Sequence, residues 1–362
     1  MIYYFVTADN SYTMMQYLDT WGEALAGTIE IFPYDKLWTR GELAPATCIF
    51  GDLERLTPAE VDAAAQVWET LSAYGGLCLH NHPALALRRY ELLREFHARG
   101  WNRFRPYRMT ELDRISRFPV FLRGALDHTG NLTGLLQSRA EIQPALRMLL
   151  REARLPDELL AVEFCDTRSA DGLYRKYSAF AVGGRIVPRT MLFSRNWMIK
   201  HPELENAELA QEALNYVTTN PHEAQIKEVF RSARVGYGRI DYGLLDGRLQ
   251  VWEINTNPVL LLHRRERYAP CFRPVHELFA RRIKEAFEAI NRSAPSDRRI
   301  PIAFRAETVG KLTVSRLTRL VQRVMPRRMK DCLRSLRQAA RLLRIKKLIR
   351  QSPRKSSEGG QR

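Results

Sequence analysis

The residues best suited to chemistry lie between Gly236 and Pro258. Side chains alternate across a strand, so in Arg239-Ile240-Asp241-Tyr242-Gly243 the Arg239 and Asp241 side chains share a face. The same alternation puts Glu253 and Asn255 on one face, with Trp252 and Ile254 on the other. Asp246-Gly247 is a strong two-residue hairpin signal, and a turn there brings Asp241 and Glu253 onto neighbouring strands. Two carboxylates and an amide oxygen then converge. Acids held that close repel unless a cation sits between them. An oxygen-only donor set suits Mg2+, which takes a few protein oxygens together with phosphate oxygens and water. A solvated hairpin with a polar outward face gives the same pattern, and these residues alone leave both readings open.

Several elements are needed to position that hairpin. Ile2 to Ala8 and Ala46 to Gly51 read as strands. Thr57-Pro58-Ala59-Glu60 reads as an N-cap with Pro at the first helical position and an acid at the third, opening a helix that Gly75-Gly76 stops. Leu77 to Leu79 is a short strand ended by His80-Asn81-His82-Pro83, so strand, helix and strand suggest a small parallel sheet. An amphipathic helix spans Leu85 to Arg99, a strand Phe118 to Arg123, and a loop with three glycines Gly124 to Gly134. A helix over Ser138 to Ala153 precedes a buried-type strand over Leu159 to Phe164. Tyr177 to Val187 forms a hairpin turning at Gly183-Gly184. Asn206 to Phe230 is helical with a break near Asn220-Pro221, and Val275 to Asn291 is a helix. No internal repeat is present.

Charge and composition narrow the function classes. Residues 300–362 hold 18 Lys and Arg against three acids, whereas the rest of the chain holds 39 basic and 37 acidic residues. The formal charge of +17 therefore belongs to one end, and a general nucleic-acid binder is disfavoured. No apolar run reaches about 18 residues, the length expected of a membrane-crossing helix. The five scattered cysteines lack any Cys-x-x-Cys spacing, which argues against a structural zinc site and for a reducing, cytoplasmic setting. His80 and His82 have no third ligand in sequence and read as loop residues; Cys165 reads as a small buried residue rather than a nucleophile.

Arg239-x-Asp241 followed by Glu253-Ile254-Asn255-Thr256-Asn257-Pro258 resembles the ATP-grasp superfamily, close to D-alanine–D-alanine ligases and RimK-like glutamate ligases. The resemblance runs over about residues 78–262. It implies an α/β chain with an ATP-grasp fold: an N-terminal α/β domain over 1–85, a body of two α+β lobes over 86–292 that hold nucleotide between them, and a basic helical extension over 293–362. Asp241, Glu253 and Asn255 match the metal ligands. Arg239 matches the arginine that steadies the transferred phosphoryl group. Arg89 and Arg123 stand where the family has its two phosphate-binding lysines. Gly124 to Gly134, with His128, resembles the loop over the phosphates, and Glu163, Phe164 and Cys165 resemble the adenine hinge. Lys176 falls where many relatives carry an acid for the ribose hydroxyls, with Asp166 and Asp171 as alternatives. The cations Arg189 and Arg195 lie in the region that lines the acceptor side, and Arg forks suit a carboxylate substrate.

The resemblance further implies an ATP-dependent carboxylate–amine ligase. It would use ATP and Mg2+, with Mn2+ as an alternative metal, and pass through an acyl phosphate to an amide, ADP and phosphate. A small-molecule kinase and a non-catalytic, membrane-associated nucleotide-binding adaptor are the alternative classes. In the extension, Cys332, Leu333, Leu336, Ala339, Ala340 and Leu343 share a helical face among arginines and lysines. That pattern suits an anionic membrane surface or an acidic protein partner at the inner face of the membrane, ahead of nucleic acid.

Overall fold

The computed structural model describes residues 1–126, 130–152, 156–291 and 298–314. The described residues form two units: one built from Met1–Arg105 together with residues 165–314, the other from Pro106–Phe164.

The first unit opens with β1 (Ile2–Val6), whose side chains are all buried, as expected of a strand covered on both faces. α1 (Tyr12–Leu18), β2 (Ile29–Pro33), α2 (Tyr34–Leu37), β3 (Glu42–Leu43) and β4 (Thr47–Phe50) follow. α3 (Pro58–Tyr74) begins with a capping box: the Thr57 hydroxyl accepts from the Glu60 N–H, and the Glu60 carboxylate accepts from the Thr57 N–H. Gly75, at φ 78°, ends it. β5 (Leu79–His80) completes a parallel sheet in the order β2-β1-β4-β5. α4 (Arg89–Ala98) leads out of it, starting at Arg89 rather than Leu85.

The second unit carries β6 (Pro106–Arg108), β7 (Val120–Gly124), α5 (Arg139–Arg151) and β8 (Leu159–Glu163). Its antiparallel strands run in the order β6-β8-β7. Ile142 and Leu149 of α5 pack with Val120, Leu122, Leu159 and Ala161.

The first unit resumes with β9 (Tyr174–Val182) and β10 (Arg185–Ser194), which meet at Gly183 and Gly184, both at positive φ. α6 (Ala207–Thr219) and α7 (Glu223–Ala233) are separated at Asn220, whose left-handed backbone ends α6. β11 (Tyr237–Leu245) and β12 (Arg248–Asn255) are joined through Asp246 and Gly247 at φ 51° and 72°, the positive pair that a tight hairpin turn requires. The second sheet runs β10-β9-β11-β12, antiparallel throughout. Ala179, Ile240, Tyr242 and Ile254 turn toward α6 and α7, while Phe180, Val182 and Tyr237 pack with Phe279, Ile283 and Phe287 of α8 (Arg273–Ile290) and with β1.

Residues 300–314 differ from the expected tail. β13 (Ile300–Pro301) pairs with β3, and Ile300, Ile302 and Leu312 are buried with Leu43, Leu53 and Val67. The Arg305 N–H donates to Gln66, and the Thr308 hydroxyl donates to Asp62. Apolar residues at 300, 302 and 312 thus return this segment to the N-terminal sheet. The amphipathic pattern over 332–349 lies outside the described residues. Among the described residues no helix is long and apolar enough to cross a membrane.

Candidate functional site

The metal-type residues meet on the β11–β12 hairpin. Asp241 pairs with Glu253 in register, and Arg239 pairs with Asn255. The next pair is Tyr242 with Val251, so Trp252 is an extra residue in β12. Such a bulge turns its residue out of strict alternation. Trp252 lies over Gly243, on the Asp241 side, where alternation alone had placed it on the opposite face. A Cβ added at Gly243 would come within 2.8 Å of the Trp252 ring, so this position needs glycine.

Every carboxylate here already faces a cation. Arg239 grips Asp241 with two parallel bonds, Nε to Oδ1 at 2.8 Å and Nη2 to Oδ2 at 3.1 Å. Lys176 Nζ, on the adjacent strand β9, lies 2.8 Å from Asp241 Oδ2. Burial alone would raise the Asp241 pKa; Arg239 and then Lys176 outweigh it and hold the carboxyl below the ordinary aspartate value. Arg89, at the first position of α4, places Nη2 2.6 Å from Glu253 Oε2. Asn255 is buried, and its Oδ1 accepts from the Asn257 N–H at 2.9 Å.

The segment after β12 is tied to the first sheet. Glu54 accepts from both the N–H and the hydroxyl of Thr256, and Asn257 Oδ1 accepts from Tyr4 and Thr13. Asn81, at φ 67°, donates to the carbonyls of Phe50 and Tyr237 and accepts from the N–H groups of Gly236 and Tyr237. These anchors fix where β11 begins and where the Asn255 turn ends. Glu54 was invisible to sequence reasoning, because its partner lies about two hundred positions away with no motif between them.

Other expected site residues are placed as follows. Lys176 faces Asp241. Asp166 pairs with Arg168, and Asp171 with Arg175. Arg189 is half-buried, with Nε donating to the Leu260 carbonyl at 2.8 Å; Arg195 is exposed just after β10 and takes no part in the ion pairs at Asp241 and Glu253. Cys165 Sγ donates to Gln250 Oε1 at 3.7 Å. His80 is the last residue of β5, not a loop residue; it is buried beside Cys78 and its pKa is pushed down to about 4 by burial, while His82, in the loop that follows, caps the Ala84 N–H. In the second unit, Arg123 is a buried residue of β7 opposite Leu160. Glu163 accepts from the Tyr107 hydroxyl at 2.9 Å and pairs with Arg117 at 3.3 Å, and the Phe164 N–H donates to the Pro119 carbonyl. His128 lies outside the described residues.

Whether these residues fit a divalent ion is decided by their donor chemistry. Among the described residues no three His, Cys, Asp or Glu side chains gather, so the candidate set is two carboxylates and one amide oxygen. That hard-oxygen set suits Mg2+ and leaves room for phosphate oxygens in its shell. The two carboxylates are register partners, and an ion entering between them would replace Lys176 on Asp241.

The chain was compared with known proteins. No protein-family model and no curated protein sequence matches it. Among solved structures it is similar to D-alanine–D-alanine ligase from Bacillus anthracis complexed with ATP, at 13% identity over 78% of this chain and 98% of that one, TM-score 0.40. It is similar to D-cycloserine synthetase at 16% identity over 78% and 100%, TM-score 0.41. It is also similar to an ATP-grasp ligase complexed with a precursor variant, Mg and ADP, at 9% identity over 80% and 96%, TM-score 0.46.

Proposed function

We propose that the chain is an ATP-dependent carboxylate–amine ligase of the ATP-grasp type. The observation that carries this reading is the pairing of Asp241 with Glu253 across a hairpin, with Arg239, Lys176 and Arg89 on their oxygens. The cations outnumber the carboxylates, and this surplus favours a polyanion such as the phosphates of ATP. Asp241, Glu253 and Asn255 would hold Mg2+, which when bound offsets phosphate charge. Arg239 would release part of its grip on Asp241 to the transferred phosphoryl group. Arg89 would do the same from Glu253, as an Arg fork suits phosphate oxygens. The resemblance also implies nucleotide contacts from Arg123, His128, Glu163, Phe164 and Cys165.

The chemistry is positioning plus electrostatics. A substrate carboxylate oxygen attacks the γ-phosphorus as the bond to the ADP oxygen breaks, giving an acyl phosphate. An amine nitrogen then attacks the acyl carbon, phosphate leaves, and the amine gives up a proton. The test is a screen of the full chain with ATP, Mg2+ and paired pools of carboxylates and amines, followed by mass spectrometry. A ligase releases ADP and phosphate only when both pools are present. ADP without phosphate would mark a kinase, and ATP binding with no turnover an adaptor.

A further inference from the structure

We infer that Glu54 is a positioning residue for Asn255, acting through Thr256, and that the loop between β4 and α3 which carries it braces the β11–β12 site. The inference rests on the ligase reading for the metal that Asn255 would hold. It deepens that reading by naming the residue that sets one of the metal's oxygens.

The loop is built to approach the end of β12. Gly51 follows β4, and a Cβ there would sit 3.0 Å from the Thr256 carbonyl oxygen and 3.1 Å from the Phe5 carbonyl oxygen. Both are backbone atoms, so glycine is what lets the segments come this close. Asp52 is next, buried, with a left-handed backbone at φ 56° and its carboxylate bonded to Thr7 and Arg55. The chain turns there, and Glu54 meets Thr256. Glu54 Oε1 accepts from the Thr256 N–H at 3.0 Å, and Oε2 accepts from the Thr256 hydroxyl at 2.9 Å. The same hydroxyl accepts from the Leu53 N–H at 3.1 Å.

Both residues are buried. A carboxylate taken out of water must recover its hydrogen bonds, and Glu54 places its two oxygens on two donors of one residue. Bonds to an ionised acceptor are about twice as strong as neutral ones, so Thr256 is held in both backbone and side chain. Thr256 stands between Asn255 and Asn257, and the Asn257 N–H donates to Asn255 Oδ1 at 2.9 Å. Rotation of the backbone at Thr256 would carry that N–H away and free the Asn255 amide to turn. The loop reaches the other carboxylate too. Arg88 donates to the Leu53 carbonyl at 3.2 Å, and the next residue, Arg89, holds Glu253 at 2.6 Å. One loop thus touches the neighbours of both Asn255 and Arg89.

The test is amide hydrogen exchange at the Asn257 N–H, read by NMR in full-length protein labelled with 15N-asparagine and assigned by its loss in Asn257→Asp. The Asn220 N–H, bonded to the Tyr216 carbonyl at the end of α6, is the control for general destabilisation. Glu54→Gln and Thr256→Val should speed exchange at Asn257 relative to Asn220 by about tenfold or more. Thr256→Ser, which keeps the hydroxyl, should match the native chain. Mn2+ binding without nucleotide should weaken about tenfold or more in the same two variants, as for other residues that orient a metal ligand. An unchanged exchange ratio would overturn the proposal, because Glu54 would then only help hold the fold. Mn2+ binding that is equal in native and variant proteins would sink the positioning role alone. No Mn2+ binding by the native chain would sink the metal reading and this role with it, so the two failures are told apart.

Discussion

Replacing Lys176 with Met removes the ammonium that lies 2.8 Å from Asp241 Oδ2. That ammonium occupies an oxygen that a divalent ion would need, so metal and Lys176 compete. Two unit charges about 4 Å apart attract by about 4 kcal/mol at an effective dielectric of about 20. Lys176 keeps about a fifth of its side chain in solvent, at 21% exposure, and rehydrates when displaced. Arg239 meanwhile stays on Asp241. The net gain for a metal on removing the ammonium is therefore smaller, about 1–2 kcal/mol, or a factor of about 5–30 in affinity. The assay is Mn2+ binding to the full chain without nucleotide, read from the electron paramagnetic resonance signal of free Mn2+. Lys176→Met should bind about 5–30 times more tightly than the native chain, and Lys176→Met combined with Asp241→Asn should lose that gain. Equal or weaker Mn2+ binding by Lys176→Met would refute the competition.

Two further outcomes are expected. Burial pushes the pKa of His80 down to about 4 and that of His276 to about 3, from 6.5 in the unfolded chain. Both folded values are depressed, so their stability contribution is complete above pH 6.5 and is lost as pH falls from there toward 4, at about 1.4 kcal/mol per pH unit for each group. Urea unfolding between pH 7 and 5 should show His276→Phe with a shallower slope than the native chain, whatever its absolute stability; an unchanged slope would count against a neutral buried His276. Gly243→Ala should drive the Trp252 ring off its place and disturb the bulge that sets Glu253 opposite Asp241. Such overpacking costs about 1–3 kcal/mol, and a thermal midpoint equal to the native one would show that the ring moves freely.

The sequence made local features legible and distant pairings illegible. Thr57 and Glu60 announce α3, and Asp246-Gly247 announces the β11–β12 hairpin, because caps and positive-φ turns are decided within a few residues. That turn puts Asp241 and Glu253 on neighbouring strands, but it is the bulge at Trp252 that sets them opposite one another. The bulges at Trp252 in β12 and Arg189 in β10 left no trace in the apolar pattern, since one extra residue shifts pairing without changing composition. Lys176 meets Asp241 only because β9 lies beside β11, a matter of strand order. Residues 300–314 read as the start of a basic tail because average charge hides Ile300, Ile302 and Leu312, which pack with Leu43, Leu53 and Val67 against the N-terminal sheet.

The central claim is that Asp241 and Glu253 serve Mg-ATP, and the most direct measurement is ATP affinity of the full chain with and without Mg2+, for the native protein and for Glu253→Ala. The native chain should bind ATP about tenfold or more tightly with Mg2+, a difference of about 1.4 kcal/mol or more, and Glu253→Ala should lose that Mg2+ effect while keeping weak Mg2+-free binding. Mg-ATP binding by Glu253→Ala equal to the native chain would contradict the account.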